Sequence, residues 1–334
     1  MSVRSLRILF RAAAGPRLGF GHLVRCRSLA RALGVEPLVS LRATVRTRGA
    51  AVDLGCRLAD DGTSALQSAD RPCVLVVDDP SAEHAEAWVN RARRLGVPVA
   101  TVHDLGLGYI PSDLGIDGSV RPHRHMRGRT GDLRGPAYAM LDPAIVQWRD
   151  RRSDLHEPDR VLVALGGGQH VFTLAGRLSA TVALARPRVR LRIATGFTDT
   201  NQLPALPHGE WVAAPNGLGD ELARAAVALV AGGVTLYEAC AIGTPTVATA
   251  LTSAQGLTIR AMADAGATYD VGAAANISTL DRMAGAVSHL LDDGRAQARM
   301  AAAGRALVDG RGIFRVADRI RALAAWGREG RHAA

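Results

Sequence analysis

The sequence predicts an α/β protein composed of two Rossmann-like domains in tandem. With 334 residues, the chain is too long for one typical core and suits two domains of about 150 residues each. Ala, Val, Leu and Gly dominate a composition that is only 4% aromatic, which disfavours a β-sandwich. Strand-like apolar runs alternate with helical patterns in both halves, and this βαβα order predicts parallel sheets with helices on both faces.

The first domain is expected over residues 1–145. Its predicted strands are 6–11, 38–42, 73–77 and 97–102. A helix follows the first strand with an apolar face formed by Leu23, Cys26, Leu29, Ala30 and Leu33. Another helix is predicted over 82–95. The segment 121–134, rich in Arg, His and Gly, is predicted to be an exposed loop, and the charged segment 147–158 is expected to contain the domain junction.

The second domain is expected over residues 155–310. Its predicted strands are 160–165, 189–195, 227–230 and 246–250. Helical patterns cover 171–185, 218–226, 236–242, 259–265, 280–291 and 295–307. The last segment, 311–334, contains an amphipathic helix over 314–326 that could pack back on the first domain.

Glycine-rich turns follow three of the predicted strands. They contain Gly15, Gly19 and Gly21, then Gly166, Gly167 and Gly168, then Gly232 and Gly233. Without a Cβ, such a turn lets backbone N–H groups approach an anion at a helix N-terminus. A single turn of this kind is more often only a tight turn, but three at strand ends predict a phosphate-bearing ligand in a cleft between the domains. No Walker A motif occurs, and Val24 replaces the third glycine of a GxGxxG motif.

Two side chains beside these turns are candidates for chemistry. His22 lies where the first helix should begin, and helix N-terminal charge favours a neutral ring that can act as a base. Thr235 and Glu238 lie at the start of a later helix, where they could bind a phosphate and a ribose. The alternatives are a structural histidine at the helix start and a Thr–Glu capping box.

Other polar groups carry weaker signals. Asp78, Asp79 and Asp104 follow predicted strands and could face the cleft or begin turns. His123 and His125 have no evident third metal ligand, so we predict no metal site. The formal charge is +10 and every basic residue is arginine, yet the arginines are scattered and no nucleic-acid motif occurs.

The chain is expected to be a cytoplasmic protein with four reduced cysteines. The cysteines form no CxxC pair, the N-terminus has no signal-peptide pattern, and no apolar run reaches the roughly 18 residues of a membrane span. Peripheral membrane association stays open.

Residues 11–26, which end in Gly-Phe-Gly-His-Leu-Val-Arg-Cys, resemble the opening of the PseG/SpsG group of UDP-sugar hydrolases and relatives. The resemblance continues through the strand-end acids at 74–79, the Gly-Pro-Ala-Tyr-Ala-Met-Leu segment at 135–141, the glycines after 165, and the stretch 231–245. That stretch is also similar to MurG-type transferases. The group is built on the GT-B fold, in which two Rossmann-like domains face each other across a cleft.

The resemblance implies a role for each matched residue. His22 would assist the water that attacks C1 of the sugar, and Glu238 would hold the ribose of a UDP-sugar donor. The remaining donor-binding residues would be Gly19, Gly21, Arg25, Gly166, Gly167, Gly168, Gly232, Gly233, Thr235 and Gln255, with Asp78, Asp79 and Tyr138 on the sugar side. Asp104 is a further sugar-side candidate from its position after a strand alone. The group also implies a metal-independent reaction with no cofactor.

Two departures from the family pattern leave the substrate open. The usual Arg-Ala-Asp is Arg11-Ala12-Ala13 here, and the usual Gly-Gly-Ser-Asp lacks its acid at 167–170. Three hypotheses follow: a UDP-sugar hydrolase, a GT-B glycosyltransferase that passes the same sugar to an acceptor, and a non-catalytic protein that binds nucleotides or nucleic acid. Carbohydrate biosynthesis is the setting expected for the first two.

Overall fold

The structure is a computed structural model that describes residues 6–15, 18–59, 63–67, 71–104, 109–121, 131–166, 169–196, 203–206, 208–214, 216–276 and 278–332. The chain divides into two compact units. The first contains residues 1–143 together with 311–334, and the second contains residues 144–310.

The first unit is built on a sheet of seven parallel strands. They are β1 (Ile8–Ala13), β2 (Leu38–Arg42), β3 (Arg57–Leu58), β4 (Val74–Asp78), β5 (Val99–His103), β6 (Leu114–Asp117) and β7 (Leu133–Arg134). Their order across the sheet is β3-β2-β1-β4-β5-β6-β7. Strands β2 and β3 therefore lie on one side of β1, and strands β4 to β7 follow one another on its other side. Such a reversal of strand order leaves a crevice at the carboxyl ends of the two central strands, which is where open α/β sheets bind ligands.

In the described residues of this unit, the α-helices are α1 (Gly21–Leu33), α2 (Val45–Asp53), α3 (Ala82–Arg94) and α11 (Gly312–His332). The predicted apolar face of α1 is buried, and α1 ends at Gly34, whose φ of 70° suits glycine. Helix α11 packs against α1. It adds five buried side chains to the same core, namely Ile313, Val316, Ala317, Ile320 and Ala324. The last segment of the chain is therefore part of the core of the first unit.

The second unit repeats this plan with six parallel strands. They are β8 (Glu157–Ala164), β9 (Arg190–Ala194), β10 (Glu210–Val212), β11 (Ala225–Ala231), β12 (Thr246–Ala250) and β13 (Tyr269–Ala273), in the order β10-β9-β8-β11-β12-β13. Strand order reverses between β8 and β11. The helices are α4 (Ile145–Leu155), α5 (Gln169–Ala185), α6 (Gly219–Arg224), α7 (Val234–Ile242), α8 (Ser253–Asp264), α9 (Thr279–Asp292) and α10 (Gly294–Leu307).

The charged segment 147–158, in which the domain junction is expected, consists of most of α4 and the first residues of β8, whereas the two units divide between residues 143 and 144. Helix α4 buries Ile145, and the ring of Trp148 lies against Gly219 at the start of α6. Arg152 donates hydrogen bonds to the carbonyl oxygens of Leu222, Ala223 and Ala225 at distances of 2.9–3.0 Å. These contacts come from residues about 70 positions away, so the local charge pattern could not reveal them.

Several shorter elements were absent from the sequence prediction. One is helix α2, which begins after Thr44, whose hydroxyl accepts a hydrogen bond from the backbone N–H of Thr47. Another is strand β6, which contains a glycine that weakens its strand pattern. In the expected loop 121–134, residues 133 and 134 form β7, whereas 122–130, including His123 and His125, lie outside the described residues.

Candidate functional site

A closed glycine turn places His22 at the carboxyl edge of the first sheet. After β1, the backbone N–H of Gly15 donates to the carbonyl of Gly19 (3.1 Å), and the N–H of Gly19 donates back (2.8 Å). Gly19 has a φ of 72°, in the left-handed region that favours glycine. Helix α1 then begins at Gly21, so His22 lies in its first turn, next to the point of strand reversal.

The His22 ring is held by a carboxylate from the neighbouring central strand. Its Nδ1 lies 2.8 Å from Oδ1 of Asp78, the last residue of β4. The two side chains meet because β1 and β4 are paired. Nη2 of Arg25, which can only donate, lies 3.1 Å from the same Nδ1, but the carboxylate, which can only accept, is nearer. We therefore assign the proton to Nδ1, and this assignment leaves the lone pair of Nε2 available to a general base.

Arg25 joins His22 and Asp78 to a second carboxylate. It lies three residues after His22, on the same face of α1. Its Nε and Nη2 donate to the two oxygens of Asp78 at 2.7 Å each, and its Nη1 donates to Oδ2 of Asp104 at 2.8 Å. We refer to His22, Arg25, Asp78 and Asp104 as the His22 cluster.

Burial and charge act in opposite directions on the ionisation of this cluster. Burial by itself would raise the pKa of Asp78, but Arg25 and His22 hold it well below its usual range. Burial would lower the pKa of Arg25, but Asp78 and Asp104 raise it well above the ordinary arginine value. Arg25 and Asp78 are therefore both charged at neutral pH, and a negative charge stays beside the His22 ring.

Asp79 and Tyr138 lie in different surroundings from Asp78. Asp79 accepts from Nε of Arg42 (3.0 Å) and from the backbone N–H of Ser81 (3.0 Å), and it pairs with Nε of Arg11 at 3.3 Å. Arg42 lies 37 positions before Asp79, so no local pattern connects the two residues. The half-buried Tyr138 packs against the hydrophobic core of the first unit. Within the described part of the chain, neither residue has a hydrogen bond to the His22 cluster.

The second unit places two glycine turns at its own point of strand reversal. Gly166 follows β8 with a φ of 98°, and Gly232 and Gly233 follow β11, its neighbour in the sheet. Gly167 and Gly168 lie outside the described residues. A Cβ added to Gly232 would come within 2.9 Å of Cβ of Gln255. The side chain of Gln255 accepts from the backbone N–H of Leu251 (2.9 Å), so this predicted residue lies directly beside the glycine turn.

Helix α7 overturns the capping-box alternative for Thr235 and Glu238. The helix begins at Val234, and its N-cap residue is Gly233, which has no side chain. Thr235 therefore lies inside the first turn instead of preceding it, and the Thr–Glu spacing does not serve as a cap. Both side chains are half-buried. The backbone N–H groups at the start of α7 point toward the carboxyl edge of the sheet, where an anion would be favoured.

The described residues contain no group of three or more His, Cys, Asp or Glu side chains arranged to hold a metal ion. No helix among them is both long and apolar enough to cross a bilayer.

Comparison with known proteins supports the fold and the resemblance. No family model matches the chain. It is 27% identical over 209 residues to the spore coat polysaccharide biosynthesis protein SpsG of Bacillus subtilis (strain 168), a match that covers 60% of this chain and 61% of SpsG. The aligned region thus spans about three fifths of that curated relative.

Solved structures match the chain over nearly its whole length. MurG of Acinetobacter baumannii is 16% identical with a TM-score of 0.65, and the match covers 94% of this chain and 99% of MurG. The spinosyn rhamnosyltransferase SpnG is 19% identical with a TM-score of 0.63, covering 95% and 99%. UDP-GlcNAc 2-epimerase of Neisseria meningitidis bound to UDP-GlcNAc is 10% identical with a TM-score of 0.61, covering 94% and 99%. The predicted GT-B fold class and the predicted resemblance to SpsG are confirmed.

Proposed function

Because this chain has the GT-B fold and is similar to SpsG, we propose that it is a nucleotide-sugar enzyme, specifically a UDP-sugar hydrolase. In the proposed reaction, a water oxygen forms a bond to C1 of the sugar. The bond from C1 to the diphosphate oxygen breaks, and its electron pair leaves with the UDP. The proton of the water passes to Nε2 of His22. The observation that carries the proposal is the 2.8 Å contact that fixes Nδ1 of His22 on Asp78.

The carboxylate of Asp78 lies beside the ring that takes the proton. With a neutral ring, the two carboxylates and one guanidinium sum to a net charge of −1. When the ring takes the proton, the net charge of the cluster becomes zero. A positioned base of this kind contributes about 10²–10⁴-fold to the rate. Asp78 acts through the ring and is a positioning residue.

The second unit is proposed to hold the nucleotide. The carboxylate of Glu238 would accept hydrogen bonds from the ribose hydroxyls. The backbone N–H groups of the glycine turns and of the α7 N-terminus, with Thr235, would bind the diphosphate. These fixed dipoles would stabilise the negative charge that develops as UDP departs. Gln255, which lies against Gly232, would contact the sugar.

A second candidate is a glycosyltransferase that uses the same donor. It is favoured by the structural likeness to MurG and to the rhamnosyltransferase SpnG. In that case His22 would deprotonate an acceptor hydroxyl instead of water. The fold is common to both reactions, so the products must distinguish them.

The first experiment compares nucleotides and then products. Thermal unfolding is measured with UDP, GDP, CDP and dTDP, because a ligand at a hundredfold excess over its Kd stabilises the folded state by about 2.7 kcal/mol. UDP-sugars are then incubated without an acceptor. Free sugar and UDP support the hydrolase, while turnover that requires an added acceptor supports the transferase. A folded protein that binds none of these nucleotides contradicts both.

Variants test the two assigned residues separately. His22→Asn should leave the Kd of UDP unchanged and lower turnover by about 10²–10⁴-fold, whereas His84→Asn, at an exposed position of α3, should leave both unchanged. Glu238→Ala should weaken UDP binding by about 1.5–3 kcal/mol, the range for a hydrogen bond to a charged group. The exposed Asp281→Ala is its control. Full turnover in His22→Asn would rule out His22 as the base.

A further inference from the structure

The two carboxylates of the His22 cluster differ in how many of their oxygens have a hydrogen-bond partner. Asp78 is buried and both of its oxygens have partners, namely His22 and Arg25. Asp104 has 38% of its side chain exposed, and only its Oδ2 has a partner within the described part of the chain, Nη1 of Arg25. Asp104 thus presents a carboxylate oxygen to solvent at a fixed place on the carboxyl edge of the sheet.

This carboxylate is close to the proposed base. One planar guanidinium contacts Asp104 at 2.8 Å and lies 3.1 Å from Nδ1 of His22. The Asp104 carboxylate is therefore within about 8 Å of that ring nitrogen, because the guanidinium is rigid. A sugar whose C1 faces His22 would have its ring substituents within reach of Asp104.

Stability alone gives a weak reason for the Arg25–Asp104 contact. Arg25 is already held by two hydrogen bonds to Asp78. Asp104 is 38% exposed, so solvent screens this additional pair more than the buried pair with Asp78. What the contact does achieve is to orient a carboxylate beside the base.

We propose that Asp104 is a specificity-determining residue that accepts a hydrogen bond from a ring hydroxyl or N–H group of the sugar. This proposal rests on the nucleotide-sugar function above. A carboxylate at this position favours neutral and amino sugars, because a hydroxyl or N–H can donate to it. It disfavours sugars that themselves carry a carboxylate, since the two like charges repel.

The test compares three donors, UDP-glucose, UDP-N-acetylglucosamine and UDP-glucuronic acid, in Asp104→Ala, Asp104→Asn and a matched control. The control is Asp142→Asn, which alters another arginine–aspartate pair of the same unit. Its partner Arg31 lies nine residues beyond His22 on α1, about 14 Å along the helix. Kd for UDP and for each UDP-sugar is measured by calorimetry, and kcat/KM is measured wherever the protein turns the donor over.

In Asp104→Ala, the Kd of UDP should stay within about twofold of wild type. The affinity or kcat/KM for the preferred neutral donor should fall by about 10- to 150-fold, corresponding to one hydrogen bond to a charged group. Both Asp104 variants should improve UDP-glucuronic acid relative to the neutral donors, because each removes the repelling charge. Asp142→Asn should change none of these ratios.

Three results would overturn the proposal, and they differ from one another. If both Asp104 variants leave the ratios of affinity or kcat/KM among the three donors unchanged, Asp104 does not contact the sugar. An equal loss for all three donors, together with a shifted pH profile of kcat, would mean that Asp104 acts only through Arg25 on the base. Wild-type protein that binds UDP no better than buffer, and no UDP-sugar, would overturn the nucleotide-sugar function and this proposal together. If UDP-sugars bind but His22→Asn turns over normally, only the base assignment fails, and the donor ratios still test Asp104.

Discussion

Asp78→Asn should separate the orientation of the base from the folding of the first unit. The substitution keeps the shape of the side chain and removes its negative charge. An amide can present an N–H to Nδ1 of His22, which favours the tautomer with the proton on Nε2. The nitrogen that must accept a proton from the nucleophile would then be blocked.

Asp78→Asn should lower both kcat and the free energy of unfolding. Loss of the correct tautomer should remove the contribution of the base, so kcat should fall by about 10²–10⁴-fold. Removing one partner of a buried ion pair costs about 3–5 kcal/mol. We expect the lower end of that range here, because Arg25 keeps its 2.8 Å contact with Asp104 and the amide oxygen can still accept from it.

The neighbouring acid provides a matched control. Asp79 is also buried and pairs with arginines, but its partners are Arg42 and Arg11. Asp79→Asn should therefore lower the free energy of unfolding but lower kcat far less than Asp78→Asn does, because it leaves the partner of His22 in place. The assay is turnover of the UDP-sugar found in the screen at 25 °C, with unfolding by urea measured on the same samples. Equal turnover in Asp78→Asn and wild type would refute the reasoning, as would an equal loss in Asp79→Asn.

Three further predictions concern packing and pH. Gly232→Ala should lower the free energy of unfolding by about 1–3 kcal/mol and weaken UDP binding, because the added Cβ would press on Gln255. At Gly233 an added Cβ meets no atom within 4 Å, so Gly233→Ala should change the free energy of unfolding by less than about 0.5 kcal/mol. Urea unfolding of the two variants distinguishes them. Ile320→Ala, at a fully buried position of α11, should destabilise the first unit by about 2–5 kcal/mol, and a loss below about 1 kcal/mol would contradict the packing of that helix. The folded-state pKa of Asp78 lies below its unfolded value of about 3.9, so its stabilising contribution is complete above that value and is lost as the pH falls below it. The difference in Tm between wild type and Asp78→Asn should therefore shrink from pH 5 to pH 3, and a constant difference would contradict the lowered pKa.

The regular elements of both units were predictable because their signals are local. The apolar face of α1 follows from a spacing of three and four residues, and the strands 38–42 and 246–250 agree with β2 and β12. Elements without such a pattern were missed. Helix α4 is held by Trp148 and Arg152 through partners in and just after α6, about 70 positions away, so its own sequence carries no helical pattern.

The candidate residues at the first sheet were also predictable, but their grouping was not. The Gly-His-x-x-Arg spacing places His22 and Arg25 on one face of a helix, and the acids at the ends of β4 and β5 were candidates to face the cleft or to begin turns. Sequence could not tell Asp78 from Asp79, because either could have faced the histidine. The structure assigns Asp78 to His22 and Asp79 to Arg42.

By itself, the sequence determined the α/β class, the tandem arrangement of two Rossmann-like units and the glycine turns at strand ends, since periodicity and backbone freedom are properties of neighbouring residues. Tertiary structure alone decided which charges pair. The contacts of Arg25 with Asp78 and Asp104 join residues 53 and 79 positions apart. They exist because parallel strands bring their carboxyl ends to one edge, where burial and opposite charge settle the protonation of each group.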